Sequence, residues 1–362
     1  MKWQSILPVL LLLGGALQAV GQTDPSDTLR GEFSVPAAGL KTALPAEPQP
    51  DFTVQLHGTV RAKFEYEPQL GKGRFEVRNA RFSLSGSVTQ AVDYKAEIDL
   101  SDEGSIKMLD AYVRLNTLRK KLQFTIGQMR VPFTIDAHRS PHEQYFANRS
   151  FIAKQVGNVR DVGATLGWSF GRAVPVVLEG GIFNGSGLTG QKDFWTDKFN
   201  YSAKLRTLFA QRVNLTLSVQ KVRPDIVDIL MYDVGTYYEY GKWHIEAEYL
   251  RKNYADGAFS GVNAVDAFVC RDFPVKRVFS KISLLARYDY MSDHSNGLAS
   301  ADGVLIVNDP ARHRVTGGMT FSLGLPFRAD IRLNYEAYFY KASVTPAVSE
   351  RDKVVVELMA RF

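Results

Sequence analysis

Residues 129–149 read MRVPFTIDAHRSPHEQYFANR and bring together side-chain types that do chemistry. His138 and His142 stand four apart with Glu143 adjacent, Ser140 and Ser150 lie close by, and Arg130, Arg139 and Arg149 bracket the run. Two histidines at i and i+4 share one face of a helix, which suggests a metal site. A zinc site needs three or four ligands, however, and no further His or Cys pattern accompanies this pair, while Pro141 between them weakens the helix. No metal site is therefore expected. A serine nucleophile beside a histidine is the second chemistry to weigh. No G-x-S-x-G run occurs in the chain, Asp161 lies too far along to be assigned as the third member, and proximity in sequence is the whole signal. The chain is not expected to be an enzyme, and no cofactor is expected.

The elements that carry this segment are strands. Residues 199–207 (FNYSAKLRT), 213–220 (VNLTLSVQ) and 327–340 (FRADIRLNYEAYFY) alternate apolar and polar side chains with period two. That alternation marks strands with one apolar and one polar face. Several run ten to fourteen residues, long for a soluble sandwich and suited to tilted membrane strands. Aromatic residues recur towards strand ends (Tyr66, Trp168, Tyr201, Trp243, Tyr288, Tyr290, Phe339), as in the girdles of a membrane barrel.

About sixteen strands are expected, from 52–67 to 352–362, with the twelfth, 259–269, alternating poorly. The connections sort alternately into two sets. One consists of turns of about six residues or fewer; the other holds the longer segments 129–160, 185–196, 221–228, 292–310 and 341–351, with two or three shorter members. Tight turns at one end and long loops at the other describe an all-β, closed antiparallel transmembrane barrel with short periplasmic turns and long extracellular loops.

The chain ends frame this body. Lys2, the apolar run Ile6 to Ala16 and the small residues Ala19 and Gly21 read as a secretory signal cut after about Gly21. Residues 22–50 are rich in Pro and Ala and read as a flexible segment, leaving 51–362 as one barrel domain. A single cysteine, Cys270, means no internal disulfide in an exported protein. A net charge of +6 and export together argue against a nucleic-acid partner.

With apolar side chains facing lipid, the alternate positions face the lumen. That assigns inward Arg61, Lys63, Arg78, Arg81, Arg114, Lys204, Arg206, Lys281, Arg287, Arg328 and Arg332, together with Arg74, Lys95, Lys198, Lys242, Lys353 and Arg361. Inward acids, among them Glu65, Glu97, Asp110, Glu246, Asp330 and Glu357, are fewer. A basic excess in a narrow, low-dielectric channel raises the local anion concentration. Arg78 with Arg81, and Arg328 with Arg332, are expected to have few acids beside them and so to hold phosphate-like oxygens.

Residues 77–101 (VRNARFSLSGSVTQAVDYKAEIDLS), 109–116 (LDAYVRLN), 126–140 (IGQMRVPFTIDAHRS), 146–154 (FANRSFIAK) and 160–168 (RDVGATLGW) resemble, in order and spacing, the phosphate-selective porin O and P family of Gram-negative outer membranes. The resemblance implies a 16-stranded barrel in the outer membrane, a homotrimer, a third long loop folded into the pore, and passive diffusion of small anions with phosphate as a candidate. On that reading Arg130, His138, Arg139, His142, Arg149, Lys154 and Arg160 lie at the constriction, with the two histidines as pH-dependent contributors. The final strand KVVVELMARF, ending in Phe362, resembles the signal read by the barrel-assembly machinery. A barrel enzyme of lipase or protease type and a plugged receptor or adhesin barrel are the competing expectations.

Overall fold

A computed structural model of the protein describes residues 52–362 except 158, 276, 277, 325–327 and 342, so the signal and the 22–50 segment lie outside the described residues. The strands are β1 (Gln55–Glu67), β2 (Lys72–Thr89), β3 (Val92–Asp102), β4 (Ser105–Thr117), β5 (Leu122–Arg130), β6 (Arg160–Phe170), β7 (Val176–Phe183) and β8 (Asn200–Phe209). They continue as β9 (Val213–Val222), β10 (Ile229–Tyr240), β11 (Trp243–Tyr254), β12 (Val262–Pro274), β13 (Lys281–Met291), β14 (Arg312–Leu323), β15 (Arg328–Tyr340) and β16 (Lys353–Arg361). Each pairs antiparallel with its chain neighbours, and β1 closes on β16 from Thr59 opposite Arg361 to Tyr66 opposite Val354. Closure removes every sheet edge, so each backbone N–H and C=O within the ladder is satisfied without water.

Side-chain exposure is inverted relative to a water-soluble protein. On β11, Glu246 and Glu248 are each 1% exposed, whereas the flanking Ile245 and Tyr249 are 48% and 44% exposed. The period-two alternation thus puts charge inside and hydrocarbon outside, the arrangement lipid demands. The connections 131–159, 184–199, 292–311 and 341–352 lie at one end of the barrel together with the shorter 68–71, 103–104, 223–228 and 255–261, and the remaining turns lie at the other.

The weak alternation around β12 has a physical cause. Four of its five inward buried positions, Val262, Ala264, Phe268 and Cys270, are apolar, with Asp266 the exception. They face a loop rather than water, so the strand carries apolar groups on both faces. The strand itself begins at Val262, three residues later than the pattern suggested.

Candidate permeation pathway

The segment 131–159, the third connection at the long-loop end, turns into the lumen. It contains 3-10 turns at Asp136–His138 and Pro141–Glu143 and one wide turn at Ile152–Gly157. Pro141 occupies the first position of its turn, where no N–H is needed, and Ser140 and Glu143 cap it reciprocally.

Both walls hold the loop. On one side Phe133, Phe151, Ile152 and Val156 pack into a buried apolar cluster with Ile229 and Met231 of β10, Leu250 and Tyr254 of β11, Val262 and Ala264 of β12, and Met291 of β13. Phe146 joins Phe268, Cys270 and Leu285 in a second cluster. On the other side the contacts are polar. Arg61 of β1 donates to Gln144 Oε1 at 2.7 Å and to the Ala147 carbonyl at 2.6 Å. Ala147 N–H donates to Asn334 Oδ1 at 2.8 Å, and Arg314 donates to the Arg149 carbonyl at 2.7 Å. The loop therefore spans the lumen, anchored by burial on one wall and by hydrogen bonds on the other.

The cations of the loop mostly brace it. Arg130 donates to the Ala137 carbonyl at 2.5 Å, and Arg149 to the carbonyls of Asp136 and Arg139 at 2.6 and 2.9 Å. Arg139 makes a two-point pair with Glu246 and lies 3.5 Å from Asp136. Arg160, the first residue of β6, pairs with Asp110 at 2.8 Å, and Lys154 pairs with Glu350. Burial, outweighed by Arg149 and Arg139, leaves the Asp136 carboxyl below its usual range. Burial also pushes Arg149 down to about 9, where it still carries its charge at neutral pH.

The two histidines depart from expectation. His138 faces the Val131 carbonyl at 2.8 Å and is held well below its ordinary range by burial and by Lys204 and Arg130. His142 falls to about 2 through burial and the neighbouring Arg361, Arg328 and Arg332. Both are neutral at physiological pH and do not contribute a pH-dependent charge there. Ser150 Oγ is committed to Asp136 at 3.0 Å, away from either imidazole.

The lumenal cations show a second departure. Arg78 contacts Asp102 and Glu103 at 3.0 and 3.1 Å, and Arg81 contacts Asp99 at 2.8 Å. Arg332 pairs with Glu357 at 2.7 Å and Asp330 at 3.3 Å, and Arg328 with Asp330 at 3.2 Å. These arginines were expected to have few acids beside them; neighbouring strands supply Asp99, Asp102 and Glu357, and β15 itself supplies Asp330. Neighbouring strands likewise give Arg61 its Glu357 and Lys281 its Asp272, while Lys63 and Arg287 pair within their own strands with Glu65 and Asp289. Arg114 donates to Thr125 Oγ1 at 3.0 Å, Lys204 donates to the Thr134 carbonyl, and Arg206 lies part-buried on β8. Lys198 and Lys242 are exposed in the 184–199 loop and the β10–β11 turn, not on inward strand positions.

Two inward arginines escaped the sequence reading. Arg312 and Arg314 are the first inward positions of β14, each 1% exposed, and their guanidinium carbons lie 4.4 and 4.5 Å from the Phe151 ring centre. Their spacing around the outward His313 carries the same alternation that placed the others.

Between loop and wall lie two polar cavities. The larger, about 100 Å³ towards the long-loop end, is lined by Lys63, Arg74, Arg78, Lys154, Arg314 and Lys353, with Arg149 at its floor, against the carboxylates of Glu65 and Glu103. Its lining thus holds seven cations and two carboxylates, and Glu76, Asp102, Asp289, Glu336 and Glu350 just behind it pair with six of those cations. The smaller, about 10 Å³, lies among Arg139, Gln144, Phe146, Asp266, Phe268 and Arg287. It is about the size of a single water.

The phosphate-selective porin O and P family matches residues 52–217. No curated protein sequence matches the chain. The fold is similar to that of an anion-selective porin from Comamonas acidovorans (13% identity, 86% of this chain and 99% of that one, TM-score 0.58). It is also similar to the outer membrane channel DcaP of Acinetobacter baumannii (13%, 88% and 99%, TM-score 0.56) and to OmpT, an outer membrane protein of Vibrio cholerae in trimer form (12%, 86% and 99%, TM-score 0.55). From β1 into β9 the chain matches the phosphate-selective porin O and P family, and the whole folds as a closed sixteen-stranded barrel of the outer-membrane porin type around an inward-folded third loop.

Proposed function

We propose that this outer-membrane channel passes small anions, phosphate among them, from the extracellular mouth past the third loop. The observation that carries the reading is the mouth cavity, whose lining holds seven cations and two carboxylates and leaves the Arg74 and Lys154 side chains about half exposed to an entering ion. Small dianions match guanidinium and ammonium donors in charge and geometry. Planar-bilayer recording in a salt gradient tests it: the reversal potential is expected on the anion side. Replacing Arg74 and Lys154, each about half exposed at the mouth, with Gln should move it towards zero. A cation-side potential in the unmodified channel overturns the anion reading, and an unchanged potential in the double variant removes the mouth as its source. Phosphate added against chloride reads out competition directly.

Assembly as a homotrimer belongs to the same proposal. The wall formed by β1–β5 has the short connections 68–71 and 103–104 at its extracellular end and exposes Phe75 and Ile106 outward at 86% and 70%. An apolar wall free of tall loops suits contact with a second copy, and a monomeric mass in detergent by light scattering would count against it. A cleaved signal and recognition of Phe362 by the assembly machinery complete the proposal.

One observation favours a second reading. The third loop touches both walls, as a plug does. A folded barrel that carries no current would select a plugged receptor or adhesin over a porin.

A further inference from the structure

The two lumenal cavities share only two lining residues, Asn148 and Arg149. These two play different parts. Arg149 points its guanidinium back into its own loop, onto the carbonyls of Asp136 and Arg139, and is fixed there. The Asn148 side chain crosses to the opposite wall. Its Oδ1 accepts from Lys63 Nζ at 3.1 Å, and its Nδ2 donates to Glu336 Oε1 at 3.0 Å and Glu65 Oε1 at 3.4 Å. Its backbone carbonyl accepts from Arg287 Nη1 at 3.0 Å, a cation of the inner cavity. One neutral amide therefore stands between a mouth-side cation and an inner cation.

Resting on the anion-channel reading, we propose that Asn148 is the stopper of this pathway and the residue that sets the size and charge of what crosses between the cavities. The chemistry follows from its partners. An anion arriving in the mouth is a stronger acceptor for the Lys63 ammonium than a neutral amide oxygen, so it displaces Asn148 Oδ1. Rotation of the freed side chain about χ1 joins the two cavities, and the anion passes from Lys63 towards Arg149 and Arg287. The amide nitrogen remains a donor that an anion can use and a cation cannot.

Single-channel conductance of a graded series tests this. Asn148→Ala and Asn148→Ser are expected to raise the conductance, by about twofold or more for Ala, and Asn148→Gln to lower it. Asn148→Asp places a third carboxylate beside Glu65 and Glu336 and should shift the reversal potential towards cations. Folding of each variant is read separately from its heat-modifiable mobility in gels, and the Ala and Ser variants serve as independent tests should either fail to fold. Unchanged conductance in folded Ala and Ser variants of a conducting channel overturns the stopper and leaves the porin reading standing. A silent parent with a conducting Ala variant supports it. A parent and Ala variant both folded and both silent overturn the porin reading, and the stopper with it.

Discussion

Phe151 is one of the buried side chains that anchor the third loop, and removing that ring should loosen the loop while leaving the barrel intact. Phe151 is 1% exposed, packs among Ile229, Leu250 and Met291, and lies under the guanidinium groups of Arg312 and Arg314 at 4.4 and 4.5 Å. Truncating a buried phenylalanine to alanine costs about 3–5 kcal/mol, and each lost cation–π contact adds about 0.5–2 kcal/mol. A conservative total of about 4 kcal/mol raises the undocked population about 10³-fold, since each 1.4 kcal/mol is a factor of ten. No ladder hydrogen bond passes through this residue, because it lies in the 131–159 connection between β5 and β6. The assay is trypsin cleavage at Arg149 and Lys154 in the folded protein, with barrel integrity followed by gel mobility. Cleavage tracks the undocked population when redocking outpaces the protease, so Phe151→Ala should be cut about 10³-fold faster than the parent. Phe151→Leu, which keeps most of the buried volume, should change the rate by about tenfold. Cleavage of the alanine variant within about threefold of the parent would refute the claim that burial holds the loop.

Two further outcomes follow from the charge network. Glu357 accepts from Arg61 at 2.9 and 2.6 Å and from Arg332 at 2.7 Å while fully buried, so Glu357→Ala strands two arginines and should cost about 3–5 kcal/mol. The temperature at which the barrel loses its folded gel mobility should drop, and an unchanged temperature would show that water or another carboxylate replaces the pair. His142 lies at about 2 when folded, against 6.5 unfolded, under burial and the fields of Arg361, Arg328 and Arg332, with Glu143 3.8 Å away. The unfolded state then binds the extra proton between those values, so stability should fall as pH drops below about 6.5 and be unaffected above it. His142→Gln should flatten that acid-side decline in the thermal midpoint from pH 7 to pH 4, and a variant that parallels the parent would refute it.

Period-two alternation made the barrel readable because lipid and lumen impose opposite demands on alternate residues of every strand. That constraint is local, so the strand limits from 229–240 and the sorting of the loops could be placed from residue types alone. The inward side of Arg61, Arg287 and Arg332 followed from the same rule. It failed where a local rule had two causes acting on it. At β12 the inward positions Val262 and Ala264 meet the third loop instead of water, and alternation fades although the strand is regular. At Lys198 and Lys242 the pattern ran past the end of the ladder into a loop and a turn.

Partner identity was not readable, and the reason bears on selectivity. Alternation says which side of the sheet a charge occupies, whereas its neighbour depends on register and closure. Arg61 and Glu357 are 296 positions apart and meet only because β1 closes on β16. Glu357 in turn reaches Arg332 directly across the β15–β16 pair. Counting inward bases against inward acids therefore overstates the free positive charge of the lumen, since inward arginines pair with carboxylates of their own strand, as Arg287 does with Asp289, or of an adjoining one, as Arg332 does with Glu357. The mouth obeys the same rule: Lys63, Arg74, Arg78, Arg314 and Lys353 line one cavity, and Glu65, Glu76, Asp102, Glu103, Asp289 and Glu336 pair with them. On the proposed reading, selectivity then rests on the half-exposed Arg74 and Lys154 at that mouth and on the amide of Asn148, and the net charge of the chain does not determine it.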